Sequence, residues 1–260
     1  VIVQLSSNKT HTFIDSNGSI YDNSSGNFDN YTYTLPDSKN KSAYYVPRIS
    51  INGNSGLTIN VTKDTTLVVD ELYLKGNLRL TGNGTLTIFV RPSTSNGTPK
   101  VDMDYGGAPG WVGNKTDPKK LLIYVDKVFT SSSVPTTVTI GSGATYYFSL
   151  LAMNLNFKIE GGAFLDGYLV TDGLTVDILG GSNANSTLYY AQKAQFTIKG
   201  GANVTGAVIA DKVTITGGAS LKYEDVDFSN FPFQINVPFG GTSGSSNPKL
   251  ELIKGSTIEQ

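Results

Sequence analysis

The chain has 260 residues, a formal net charge of -1, 16% charged residues and 29 glycines. That balance leaves no electrostatic footprint for nucleic acid or anionic lipid. The absence of cysteine excludes disulfides, zinc–thiolate sites and cysteine nucleophiles.

Low charge with abundant Asn, Ser and Thr is the composition of an all-β extracellular architecture rather than an α/β enzyme. Residues 1–50 carry turn-formers such as Asp15-Ser-Asn-Gly-Ser and an alternating patch, Tyr31-Thr-Tyr-Thr-Leu. They read as an irregular N-terminal flank or cap with a few short strands. The chain starts at Val1 without a methionine, and it is read as a fragment whose targeting segment was removed. No run of 18 apolar residues supplies a membrane-spanning helix.

From residue 51 a coil pattern sets in, with Leu57-Thr-Ile-Asn-Val, Leu72-Tyr-Leu-Lys-Gly, Leu78-Arg-Leu-Thr-Gly and Leu86-Thr-Ile-Phe-Val. Residues 91–119 have no period and read as a long loop excursion, holding the lone Trp111 between Gly110 and Val112. Regularity is strongest from Leu121 to Glu224. Ile140-Gly-Ser-Gly-Ala returns as Ile159-Glu-Gly-Gly-Ala, Ile178-Leu-Gly-Gly-Ser, Ile198-Lys-Gly-Gly-Ala and Ile215-Thr-Gly-Gly-Ala, in steps of 19, 19, 20 and 17 residues. A further step of 17 backwards lands on Ile123. Such a period marks a solenoid. The alternation in Phe196-Thr-Ile-Lys and Val213-Thr-Ile-Thr makes its elements strands, and glycine pairs supply corners of positive φ.

The expected fold is therefore all-β, a right-handed parallel β-helix over residues 51–226. Ile159, Ile178, Ile198 and Ile215 should be buried in one stacked column. Residues 227–260 read as a C-terminal cap and tail, with Phe228, Phe231 and Phe233 as an aromatic plug and a linker-like stretch at 240–248. Leu250-Glu-Leu-Ile then offers one further strand.

Catalytic groups are scarce. His11 is the sole histidine and sits in a loop context. The acids a polysaccharide-active β-helix would need are Asp166, Asp172, Asp177, Asp211, Glu224 and Asp225, with Asp172 and Asp211 at equivalent places two coils apart. No enzymatic activity and no cofactor are expected. Asp102 and Asp104, spaced i and i+2, offer two hard oxygens to calcium and are the candidate metal ligands. Trp111 and the pairs Tyr146-Tyr147 and Tyr189-Tyr190 are the candidate contact surface, since one ring of each pair must point outward from a strand.

The stretch from Leu72 to Asp225 resembles the β-solenoid region of PilX-type minor-pilin-like proteins of type IV pili. The residues that carry the likeness are Leu78-Arg-Leu-Thr-Gly-Asn-Gly-Thr-Leu-Thr-Ile, Pro118-Lys-Lys-Leu-Leu-Ile-Tyr, Gly161-Gly-Ala-Phe-Leu-Asp-Gly-Tyr-Leu-Val and the run from Gly200 to Asp225. The resemblance implies a non-enzymatic subunit on the bacterial surface, partnered by other pilus subunits and by a receptor or glycan on a host or environmental surface. It also implies membrane association only through an N-terminal helix that this chain lacks. The same phrases resemble bacterial ice-binding solenoids. Those require ranked threonines, whereas the matching places here hold Thr139, Lys158, Asp177, Thr197 and Thr214.

Overall fold

In Thr65–Val69 the side chains of 65, 67 and 69 are buried and those of 66 and 68 half-buried, as period two dictates for a strand with one face inside. The same pattern recurs through the chain, and the strands pair in parallel with strands 17 to 37 residues away, one coil along. The result is an all-β parallel solenoid of about seven turns. The computed structural model describes residues 20–21, 31–36, 40–91, 100–104, 110–125, 136–141, 143–226 and 231–232.

Each coil has three faces, visited in order. The first is built from strands such as Lys100–Asp104, Thr136–Gly141, Leu155–Ile159 and Thr175–Leu179. Trp111–Gly113, Thr145–Tyr147 and Phe164–Asp166 belong to the second. Leu86–Val90, Leu121–Val125, Ser149–Ala152 and Leu169–Thr171 belong to the third.

The core is a set of stacked columns. On the first face Ile140, Ile159, Ile178, Ile198 and Ile215 are consecutive partners, and below Ile140 stands Met103. Ile159, Ile178 and Ile198 are fully buried as expected, but Ile215 is 44% exposed. Among the described residues no further coil stacks on residues 212–216, so the last isoleucine lacks the neighbour that covers the others. Ile123 is a second correction. It lies on the third face, paired with Ile88 and Leu150.

The first-to-second corner is turned by Gly161-Gly162, Gly180-Gly181, Gly200-Gly201 and Gly217-Gly218, all with φ between 63° and 78°. A Cβ at Gly162 or Gly181 would meet nothing within 4 Å, so the backbone angle and not crowding requires glycine there. The corner from third to first face uses polar side chains instead. Asn156 Oδ1 accepts from the N–H groups of Leu174 (2.8 Å) and Thr175 (3.0 Å), and Thr171 Oγ1 donates to Leu155 O (2.6 Å). These buried groups satisfy backbone that the turn leaves unpaired.

Two segments are more regular than their sequence implies. The region read as an irregular flank holds Tyr31–Leu35 and Ala43–Tyr45, which pair in parallel with 57–61 and 66–68 and form a full coil with 48–52. The region read as a loop excursion holds Lys100–Asp104 and Trp111–Gly113, which occupy the first and second faces of one coil. Asp117 caps the 3-10 turn Pro118–Lys120 that follows. Among the described residues no helix is long and apolar enough to cross a membrane. Residues 227–260 form a separate unit, described only at Phe231 and Pro232. His11, Phe228, Phe233, the 240–248 stretch and Leu250-Glu-Leu-Ile lie outside the described residues.

Candidate functional site: the second and third faces

A parallel coil places equivalent residues ~4.8 Å apart, so whatever points outward at one register forms a line along the rod. On the third face that line is Tyr45, Val68, Phe89, Tyr124, Leu151, Val170, Tyr190 and Ile209, each paired with the next. It is apolar through eight coils and spans ~34 Å. Tyr45 is 55% exposed, Val170 is buried and the others are half-buried. Burial holds the phenol pKa values of Tyr124 and Tyr190 above the ordinary tyrosine value. At the line's foot Tyr45 donates to Asp70, and Arg91 binds the same carboxylate at 2.6 Å with its guanidinium over the Tyr45 ring.

The second face is different in chemistry. Trp111, Thr145 and Phe164 form one outward column, and Gly113, Tyr147 and Asp166 form the next. Trp111 is held as a strand residue, its N–H donating to Asn77 Oδ1 at 2.8 Å. Arg79 lies over its ring at 4.4 Å and Lys115 Nζ at 3.6 Å from the centroid. The Tyr147 and Phe164 rings are tilted against each other at 6.1 Å. Beside them the Asp166 carboxyl is pushed up from the usual carboxylate range by burial. Above Phe164 the column continues as Asn183, Asn203 and Ser220, joined by Asn203 Nδ2 to Asn183 Oδ1 (3.2 Å) and Ser220 Oγ to Asn203 Oδ1 (2.7 Å).

The contact candidates from sequence thus divide. Tyr147 and Tyr190 point outward on the second and third faces, and Trp111 is half-buried on the second. Tyr146 and Tyr189 are core residues at 0% exposure. Tyr146 donates its hydroxyl to Met103 O at 2.5 Å and meets Phe148 edge-on, while Tyr189 packs edge-on against Phe196 at 5.0 Å. They are withdrawn as surface residues, because alternation turns one of each pair inward.

Asp102 and Asp104 do share the outward side of the first face, but Asp102 is ion-paired with Lys75 at 2.5 Å and also accepts from Asp104 N–H. Calcium takes six to eight oxygens. Among the described residues no group of three or more potential ligands forms there or elsewhere. The aligned acids fare similarly. Asp172 accepts from Asn154 N–H and faces Lys193 at 3.9 Å. Sequence reasoning missed Arg79, Lys115 and Phe164 beside Trp111, and most of the third-face line.

The family model described as a domain of unknown function, DUF7305, matches residues 5–226. Neither the curated proteins nor the solved structures contain a match to the chain.

Proposed function

The chain belongs to the DUF7305 family, and we propose that it is a surface-displayed structural and attachment module, a minor subunit of type IV pili. The observation that carries this reading is the outward apolar line of the third face. An outward apolar line this long, half-buried for most of its length, is a surface suited to being covered by another macromolecule. The rod holds it rigid, because each coil is fixed by its neighbours, so little conformational entropy is lost when the strip docks. In a pilus the third face packs against other subunits and leaves the second face, with its aromatic and polar groups, turned outward for attachment.

The other readings draw less support. The column of Thr139, Lys158, Asp177, Thr197 and Thr214 is a true register column, and its lysine and aspartate interrupt the flat threonine rank that ice binding needs. For a polysaccharide-active enzyme, the aligned Asp172 is occupied by Asn154 and Lys193.

The test is a Phe89→Glu, Tyr190→Glu double variant in the producing cell. Both side chains point outward, so far-UV circular dichroism of the purified chain should not change. Loss of the subunit from surface fibres, seen by immunogold labelling, supports the reading. Normal incorporation and normal attachment would remove it. Deleting the gene separates roles: lost attachment with normal fibre number supports adhesion, and lost fibres support assembly.

A further inference from the structure

Three rings lie on successive coils of the second face: Trp111, then Tyr147 one column across, then Phe164 back in the first column. Between Arg79 on the coil below and Tyr147 on the coil above, the second column holds only Gly113. That glycine has φ +103°, and a Cβ there would stand 1.8 Å from Tyr147 O. Gly113 is itself buried and adds no side chain to the second column, so Arg79 reaches the Trp111 ring from the coil below and Tyr147 follows on the coil above.

Arg79 differs from the protein's other arginines. Arg48 and Arg91, the other two arginines, each hold a carboxylate, Glu71 at 2.5 Å and Asp70 at 2.6 Å. Among the described residues neither Arg79 nor Lys115 has a carboxylate partner, and Arg79 Nε is buried with no hydrogen-bond acceptor. Two cations gathered on one ring without a counter-charge repel each other, and an anion seated against them relieves that repulsion.

The other end of the platform has no net cationic character. Asp166 lies beside Phe164, and the amides of Asn183 and Asn203 follow. A run of phosphates would meet that carboxylate, so a nucleic acid is the wrong partner. Aromatic faces suit the C–H faces of sugar rings, and amides with a carboxyl suit hydroxyl groups.

We propose that this second-face cluster binds an acidic oligosaccharide, with a uronate carboxylate accepting from Arg79 and Lys115 and the following sugar rings lying on Tyr147 and Phe164. The inference rests on the attachment reading for its purpose and names the class of ligand that reading leaves open. Its chemistry is independent of the third face.

Trp111 is the only tryptophan, so its fluorescence reports on the site directly. Purified chain is titrated with tetragalacturonic acid and with its fully methyl-esterified, uncharged counterpart. A saturable emission change is expected with the acid and a weaker one with the ester. Lys115 is exposed, so Lys115→Gln should fold normally and weaken binding by about tenfold, as loss of one charge-assisted hydrogen bond implies. Arg79→Gln should weaken it at least as much, with far-UV circular dichroism as the folding control. Ester binding as tightly as acid, or no saturable change with tetragalacturonate, alginate and hyaluronan alike, overturns the proposal. Beads coated with each chain separate it from the attachment reading. If Lys115→Gln beads attach to cells as well as parent beads, the site is wrong and attachment stands. Parent beads that fail to attach while Trp111 still titrates sink the attachment reading and leave the site.

Discussion

Ile159 and Ile215 are the same residue in the same column, and they differ in whether a coil lies above them. Ile159 is fully buried between Ile140 and Ile178, and Ile215 is 44% exposed. Replacing either by alanine removes three carbons. At Ile159 the lost transfer energy is ~2.4 kcal/mol at ~0.8 kcal/mol per methylene. A cavity enclosed on both sides adds to that, for a total of ~3–4 kcal/mol. At Ile215 little more than half of the transfer energy is at stake and no closed cavity forms, giving ~1 kcal/mol. Urea melts followed by far-UV circular dichroism should therefore separate Ile159→Ala from Ile215→Ala by ~2 kcal/mol or more. Equal losses would refute the reasoning, because they would mean that Ile215 is as well covered in solution as Ile159.

Glycine substitutions should divide in the same way. Gly113→Ala puts a Cβ against backbone oxygen and should cost at least ~3 kcal/mol, while Gly162→Ala meets open space and should cost the ~1 kcal/mol of its positive φ alone, both read from urea midpoints. Two carboxyls should give opposite pH signatures. Asp166 has a raised folded-state pKa, so its contribution is present below the unfolded value of about 3.9 and lost as pH rises through the folded one. Asp166→Asn should thus gain stability over the parent at pH 7 and show no gain at low pH. For Glu71, burial is the largest single influence and opposes ionisation, yet the hydrogen bonds from Lys100 and Arg48 together bring its pKa below the ordinary value. Its contribution is present above the unfolded value and lost as pH falls through the folded one. Glu71→Gln should lose about 1 kcal/mol at neutral pH, since both cationic partners are largely exposed, and almost nothing in acid.

The isoleucine column was legible because the coils between Ile140 and Ile215 differ by at most three residues and each returns to the same Gly-rich phrase, which keeps the phase. It misled at Ile123 because the preceding coil is longer. From Met103 to its partner Ile140 the chain takes 37 residues, and a backward step of 17 stops two faces short, on the third face. The third-face line was not legible because it takes one residue from each coil. In Leu121-Leu-Ile-Tyr-Val no alternation marks which apolar residue points outward; the pairing of Tyr124 with Phe89 and Leu151 decides it. Trp111 stood out by its rarity, but Arg79 lies 32 residues earlier in an ordinary strand. Only the stacking of 78–79 under 112–113 brings the two together. Short strands such as Trp111–Gly113 carry too few residues to show a period at all.

The glycine corners have an evolutionary corollary. Residues 140–159 and 159–178 begin and end at the same point of the column, and the second turns at Gly162, a corner that no side chain crowds. Copying one such stretch of DNA in frame adds one rung and ~4.8 Å of rod, with every old neighbour kept except at a single seam. Rod length is then a quantity that recombination can adjust in whole steps, without a new core to invent each time. Where this protein must reach a fixed distance, selection can set that distance by counting coils.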